Sequence, residues 1–201
     1  GGFRTGFEGA QDWDLALRIS ETIEPEQIEH IPEVLYHWRS VSGSTARDIN
    51  EKAYAHNAAK RAIEDHFKRK DISATLEPVD RYYWRPCYKH TSPAVAIVIP
   101  TRDRVELLQE CIENILTKTN YRNYQLVVAD NGSVEEATHS YLDTLESTGI
   151  EVLKVPGKFN YSRINNAAIH FRKEDVICLL NNDTNVINPE WLEELVMQAV
   201  R

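Results

Sequence analysis

Sulfur is scarce in this chain of 201 residues, which holds three cysteines and one methionine. Cys87, Cys111 and Cys178 are odd in number and far apart, with no Cys-x-x-Cys pair, which argues against a disulfide framework and against structural zinc. Cys111 and Cys178 lie within apolar patterns and read as small buried hydrophobes, for which a reducing cytoplasm is the natural setting. Long apolar runs are missing too: none approaches the roughly 18 residues of a membrane span. Two phosphate cradles are absent, since no G-x-G-x-x-G follows the first buried strand and no G-x-x-x-x-G-K occurs anywhere. That disfavours a dinucleotide oxidoreductase and a P-loop nucleotidase. Positive charge is in deficit, with 23 Lys and Arg against 31 Asp and Glu for a net charge of −8, so no broad basic face for nucleic acid is expected. The opening Gly1-Gly2-Phe3-Arg4 has neither a start methionine nor a signal-peptide pattern, and the chain reads as a fragment.

What is present is the balance of a soluble globular protein, 42% apolar and 27% charged. Three stretches divide it. Residues 1–47 begin glycine-rich, become amphipathic, and turn strand-like from Ile28 to Trp38. Residues 48–72 predict one helix, with Asp48 as N-cap and Ala53, Ala58, Ala59, Ala62, Ile63 and Phe67 at near-helical spacing. Its late cations Lys68, Arg69 and Lys70 suit a helix C-terminus and read as a solvated face. Residues 73–93 read as a linker broken by Pro78, Pro86 and Pro93. There Tyr82, Tyr83, Trp84 and Tyr88 lie among Arg81, Arg85, Lys89 and His90, either packing the linker on a domain or offering stacking surfaces to a sugar or base.

From residue 94 to 201 strands alternate with helices, which predicts an α/β fold with a mostly parallel sheet. Val95 to Ile99 is continuously apolar, as a strand covered on both faces must be. A helical stripe follows over 105–117, then strands at 125–129, 151–155 and 176–180, with helices over 134–147 and 161–172 and a last one opened by Pro189. Ligands of open parallel sheets bind beyond the C-terminal strand ends. Three polar groups fall there: Pro100-Thr101-Arg102-Asp103, Asp130-Asn131-Gly132-Ser133, and Asn181-Asn182-Asp183. Thr101, Asp130 and Asn131 offer directional donors and acceptors for a base and ribose, and Asp183 offers a carboxylate to a hard cation. Each group is also what an ordinary strand-end turn uses.

Taken in order, Val95–Arg104 (VAIVIPTRDR), Leu126–Ser133 (LVVADNGS), Phe159–Ala168 (FNYSRINNAA), Leu179–Thr184 (LLNNDT) and Pro189-Glu190-Trp191-Leu192 resemble the nucleotide-binding half of family 2 glycosyltransferases, inverting enzymes of GT-A fold. Residues 1–47 resemble the same family's later part. Gly9-Ala10-Gln11-Asp12-Trp13 looks like its Glu-Asp motif with the Glu replaced by Gln11, and His30 to Arg39 like the strand that follows. The family's C-terminal part thus precedes its N-terminal part. The organisation expected is the C-terminal piece of one GT-A domain (1–47), a helix and linker (48–93), and the Rossmann-like nucleotide-sugar-binding half of the next (94–201), a slice through a tandem protein. A circularly permuted domain is the alternative.

The resemblance implies transfer of a sugar, hexosyl or deoxyhexosyl, from a nucleoside diphosphate sugar to a glycan or lipid-linked acceptor, with inversion, in bacterial surface polysaccharide synthesis. It implies Asp12 as general base for the acceptor hydroxyl. Nucleotide contacts fall to Pro100, Thr101, Arg102, Asp130, Asn131 and Asn182. Mg²⁺ or Mn²⁺ falls to Asp183, which keeps one carboxylate of a D-x-D motif whose first is now Asn181, with His37 completing the metal site. Tyr161, Ser162 and Asn165 match a stretch near the sugar nucleotide and serve equally as helix caps. Asp14 is expected at the N-terminus of its own helix, and His139 and His170 as surface residues. A cytoplasmic location, free or at the inner face of the membrane, and a homodimer through the open sheet edge complete the expectation. The replaced acids Gln11 and Asn181 favour an alternative, a nucleotide-binding or interaction fragment without catalysis. A nucleotidyltransferase would instead need a glycine-rich basic loop after the first strand, where Arg102 and Arg104 stand without glycine.

Overall fold

The computed structural model describes residues 2–37, 53–79, 83–170 and 172–200. The chain divides into two compact units, Gly1–Lys89 and His90–Arg201.

In the first unit, α1 (Gln11–Ser20) is followed by a 3₁₀ turn at Pro25–Gln27, α2 (Ala53–Arg69), and an antiparallel hairpin of β1 (Ala74–Pro78) and β2 (Trp84–Tyr88). Small residues let the elements approach closely. Ala10, Ala58 and Ala59 form a buried cluster against which Trp84 packs. Gly9 sits at φ +83°, and a Cβ there would come within 2.6 Å of that of Ala55. Ion pairs join α1 to α2. The buried Asp14 carboxylate is held by Arg4 and by Arg18 (2.9 Å), and Arg4 also reaches Asp65 (3.1 Å). At the end of α1 the Glu21 carboxylate meets His66 Nδ1 and Arg69, each at 2.7 Å.

Several sequence expectations change here. Asp14 lies in the first turn of α1, as expected, and its carboxylate is also the buried partner of two guanidinium groups. The stretch 73–93 is a hairpin rather than a linker, because in a two-stranded ribbon each strand has an outer edge on which proline loses no ladder bond. Trp84 fastens that hairpin to α2: its ring stacks on His56 at 4.4 Å and its Nε1–H donates to the His56 carbonyl. Residues 28–37 form no strand and are exposed, with no ladder partner among the described residues to satisfy extended backbone. Asp48, Trp38, Arg39, Arg81 and Tyr82 lie outside the described residues.

The second unit is a three-layer α/β sandwich. Its four-stranded sheet has the order β5-β4-β3-β6, all parallel, with β3 Val95–Thr101, β4 Tyr124–Asp130, β5 Glu151–Lys154 and β6 Val176–Leu179. The alternation of strand side chains splits the core in two. Val95, Ile97, Ile99, Leu126 and Val128 meet α3 (Val105–Lys118), α4 (Glu136–Ser147) and α6 (Trp191–Ala199) on one face. Val98, Val127 and Ala129 meet α5 (Tyr161–Ile169) on the other. The cap of α5 is Asn160, whose side chain accepts from the Arg163 amide, rather than Tyr161, Ser162 or Asn165. Pro189 precedes α6 instead of opening it, the helix beginning at Trp191. The fold class read from the sequence, α/β with a parallel sheet, is the one observed.

Candidate functional site

Parallel pairing brings the three polar strand ends to one edge. Thr101 lies in register with Asp130, and the Asn131 amide donates to the Thr101 carbonyl (2.9 Å). On the other side of β3, the Leu180 amide donates to Val98 (2.9 Å), carrying Asn181, Asn182 and Asp183 past the sheet edge. The Asn182 amide nitrogen then donates to Thr101 Oγ1 (3.2 Å). Beyond these ends opens a cleft of about 350 Å³, within the roughly 300–1,000 Å³ of small-molecule sites. Pro100, Thr101, Arg102, Asn131, Asn182 and Asp183 line it, so six residues singled out in the sequence converge there. Arg104, Leu107, Phe159, Tyr161, Ile164 and Asn181 complete the lining.

Two loops are braced against each other behind the cleft. The buried Asp130 carboxylate accepts through Oδ1 from the Ser133 amide (2.9 Å) and hydroxyl (2.6 Å). Ser133 Oγ in turn accepts from the Asp103 amide (2.8 Å). Asp103 returns the link, its carboxylate accepting from the amides of Val134 (2.7 Å) and Glu135 (3.0 Å). Those amide bonds, Glu135 first, hold the Asp103 carboxyl below its ordinary value. Asp103 and Arg104 both occupy the left-handed region, at φ 53° and 54°, a conformation non-glycine residues keep only when the surroundings impose it.

Asn131 is buried at the cleft. Its amide nitrogen donates to the carbonyls of Val155 (2.8 Å) and Gly157 (3.3 Å), which fixes the amide's orientation. Its Oδ1 is left buried without a partner among the described residues. An orphaned buried acceptor carries a penalty of about 1–3 kcal/mol, which a ligand N–H would remove. Asn165 is similar: Nδ2 donates to Tyr161 while Oδ1 has no partner. Aromatic surface comes from Phe159 and Tyr161, both exposed; Ser162, His139 and His170 are exposed and do not line the cleft.

The donor set can be weighed against a divalent ion, which is held either by a cage of six or more protein oxygens or by one or two carboxylates together with waters and substrate phosphates. Among the cleft's lining residues Asp183 is the one carboxylate. The Asn182 amide is turned to Thr101, and the Asn181 carbonyl accepts from Thr184 Oγ1 (2.8 Å) and from the Cys111 thiol (3.6 Å). No group of three His, Cys, Asp or Glu able to hold a metal occurs among the described residues. These residues form no all-protein cage for an ion, and Asp183 alone could contribute a carboxylate to one.

Asp12 and His37 belong to the first unit. Asp12 stands exposed in the first turn of α1, its Oδ1 accepting from the Trp13 amide (3.0 Å). It borders an apolar cavity of about 550 Å³ shared by Trp13, Ile63, Phe67, Pro86 and Tyr88. Gln11 accepts from the Gly9 amide (2.7 Å). His37 is exposed on the segment that forms no strand. Arg104, Leu107, Phe159 and Ile164 were not singled out as nucleotide contacts in the sequence. Arg104 closes the quoted stretch Val95–Arg104, and Phe159 and Ile164 lie in the quoted stretch Phe159–Ala168.

Comparison with known proteins follows this geometry. The chain is 42% identical over its whole length to an uncharacterized protein, y4gI, of Sinorhizobium fredii, of which it spans 23%. It is 35% identical, again over its whole length, to the O-antigen biosynthesis protein RfbC of Myxococcus xanthus, of which it spans 16%. The chain therefore spans less than a quarter of the length of these curated relatives. Among solved structures, the mannosyltransferase PcManGT of Pyrobaculum calidifontis, in complex with GDP-Man and Mn²⁺, is similar over 76% of this chain and 43% of that one, at 18% identity and a TM-score of 0.49. Residues 96–201, over half of the chain, match the family model described as glycosyl transferase family 2, and the chain belongs to that family.

Proposed function

We propose that the cleft binds the nucleoside diphosphate of a sugar donor, and that the chain is part of a glycosyltransferase building a bacterial surface polysaccharide. The observation that carries this is Asn131. It lines a cleft made by three strand ends, its amide nitrogen held by two carbonyls and its Oδ1 buried without a partner among the described residues. That acceptor matches the imide N–H of uracil or thymine. Thr101 and Asn182 add polar contacts for the ribose, and Phe159 and Tyr161 give the base or sugar an apolar wall. In the reaction, an acceptor hydroxyl on a glycan or lipid-linked chain attacks the anomeric carbon. The bond to the diphosphate oxygen breaks, and the configuration inverts. Asp12, exposed on α1, is assigned as the base that takes the hydroxyl proton in the site to which its own unit contributes.

Two amides favour a second reading, a nucleotide-binding part without catalysis. Gln11 is tied to Gly9 where the family motif has an acid, and Asn181 supplies no carboxylate. Calorimetric titration with UDP and dTDP tests what both readings share. Binding of either is expected, about tenfold weaker in Asn131→Ala. No binding of either nucleotide refutes the site. Release of free sugar from a bound donor separates the catalytic reading from the second one.

A further inference from the structure

The donor set just described leaves the charge of a diphosphate to be met by something other than a metal held in an all-protein cage. The cleft lining carries two guanidinium groups, Arg102 and Arg104, against the single carboxylate of Asp183. It is therefore locally positive in a chain whose net charge is −8. Both arginines are exposed, and neither forms an ion pair among the described residues. Arginines near acids on a protein surface ordinarily pair, as Arg4, Arg18, Arg69 and Arg172 do in this chain.

The backbone shows how they are held apart. Between them Asp103 turns its carboxylate to the amides of Val134 and Glu135, next to the start of α4. The Arg104 amide donates to Glu135 Oε2 (3.3 Å), so the acidic groups of this corner are engaged with backbone N–H. Two successive left-handed residues, Asp103 and Arg104, reverse the chain sharply enough for both flanking arginines to line the cleft. Nothing in packing demands arginine at φ 54°, where glycine would be relaxed. A planar fork of N–H donors is what phosphate oxygens accept, two at a time.

Resting on the nucleotide-binding reading above, we propose that Arg102 and Arg104 form a cationic clamp for the donor's diphosphate, so that this chain binds the nucleotide without a divalent ion. The test is titration of the full chain with UDP and dTDP, in EDTA and in excess Mn²⁺. Binding in EDTA within about threefold of that in Mn²⁺ is expected. Arg102→Ala and Arg104→Gly are each expected to weaken binding in EDTA about tenfold, the worth of one charge-assisted phosphate contact. Arg104→Gly relieves the left-handed strain, so its fold is retained and a loss of affinity reports the charge. Binding that appears in Mn²⁺ and vanishes in EDTA overturns the clamp while leaving the nucleotide site standing. Unchanged affinity in both arginine variants also overturns it. Absence of binding in either buffer overturns the clamp and the underlying reading together.

Discussion

At the scale of single residues, the chain is governed by where its buried acids find partners. Asp14 has no solvent exposure, and its carboxyl is held below the ordinary value first by the Arg4 guanidinium and then by Arg18. Removing it takes the shared acceptor from two guanidinium groups, Arg4 keeping Asp65 and Arg18 keeping the Gly2 carbonyl, whereas breaking a fully buried pair loses about 3–5 kcal/mol. Arg4 and Arg18 retain some access to water, so Asp14→Ala is expected to lose about 2–4 kcal/mol in urea unfolding, with Asp14→Asn recovering little. The sequence around Asp14 suggested a helix-end role, because a carboxylate in a first turn is locally satisfied by the dipole. Of its partners Arg18 stands one helical turn on, but Arg4 was illegible, lying ten positions away and shared with Asp65 on another helix. The cleft residues behaved differently. Thr101, Asn131, Asn182 and Asp183 were visible as polar groups closing apolar runs, since strand direction alone dictates which end they occupy. The left-handed turn that places Arg104 beside them was invisible, because it depends on bonds from Asp103 to a loop 31 residues on.

At the scale of elements, what the sequence revealed depended on whether neighbours were local. The strands β3 and β4 are apolar on both faces, and the helices α3 and α5 carry a stripe, so each was read close to its true bounds. The hairpin was hidden by its prolines, and the segment 28–37 looked like a strand because apolar β-formers recur in it without a partner to pair them. The joint between α1 and α2 rests instead on Glu21. Arg69, with help from His66, lowers its carboxyl to about 2 from an ordinary 4.5. A carboxyl depressed in the folded state binds its proton more readily when unfolded. The stabilisation is thus complete above pH 4.5 and is lost as pH falls from there toward 2. Thermal melts of the first unit should therefore drop over that range more steeply in the wild type than in Glu21→Gln, which should start lower at neutral pH and vary less. Parallel curves for the two proteins would contradict the assignment.

At the scale of the whole chain, the question is which unit owns the proposed nucleotide site. Every lining residue of the cleft falls between Pro100 and Asp183, and both core clusters around the sheet fall between Val95 and Val196. The unit His90–Arg201 has the length of a typical small domain, on the order of 100–150 residues, with a core covering both faces of its sheet. The family model likewise begins at residue 96, whereas the two curated relatives match along the entire chain, first unit included. A domain whose core and cleft are both self-supplied needs no help to fold. Produced alone, residues 90–201 should unfold in one cooperative transition and bind UDP or dTDP within about threefold of the full chain. If the shortened protein folds but its affinity falls further, the first unit contributes to the donor site, and Asp12 becomes the residue to vary next. Retained affinity instead assigns Asp12 and its apolar cavity to a separate task, acceptor chemistry in the site its own unit contributes to.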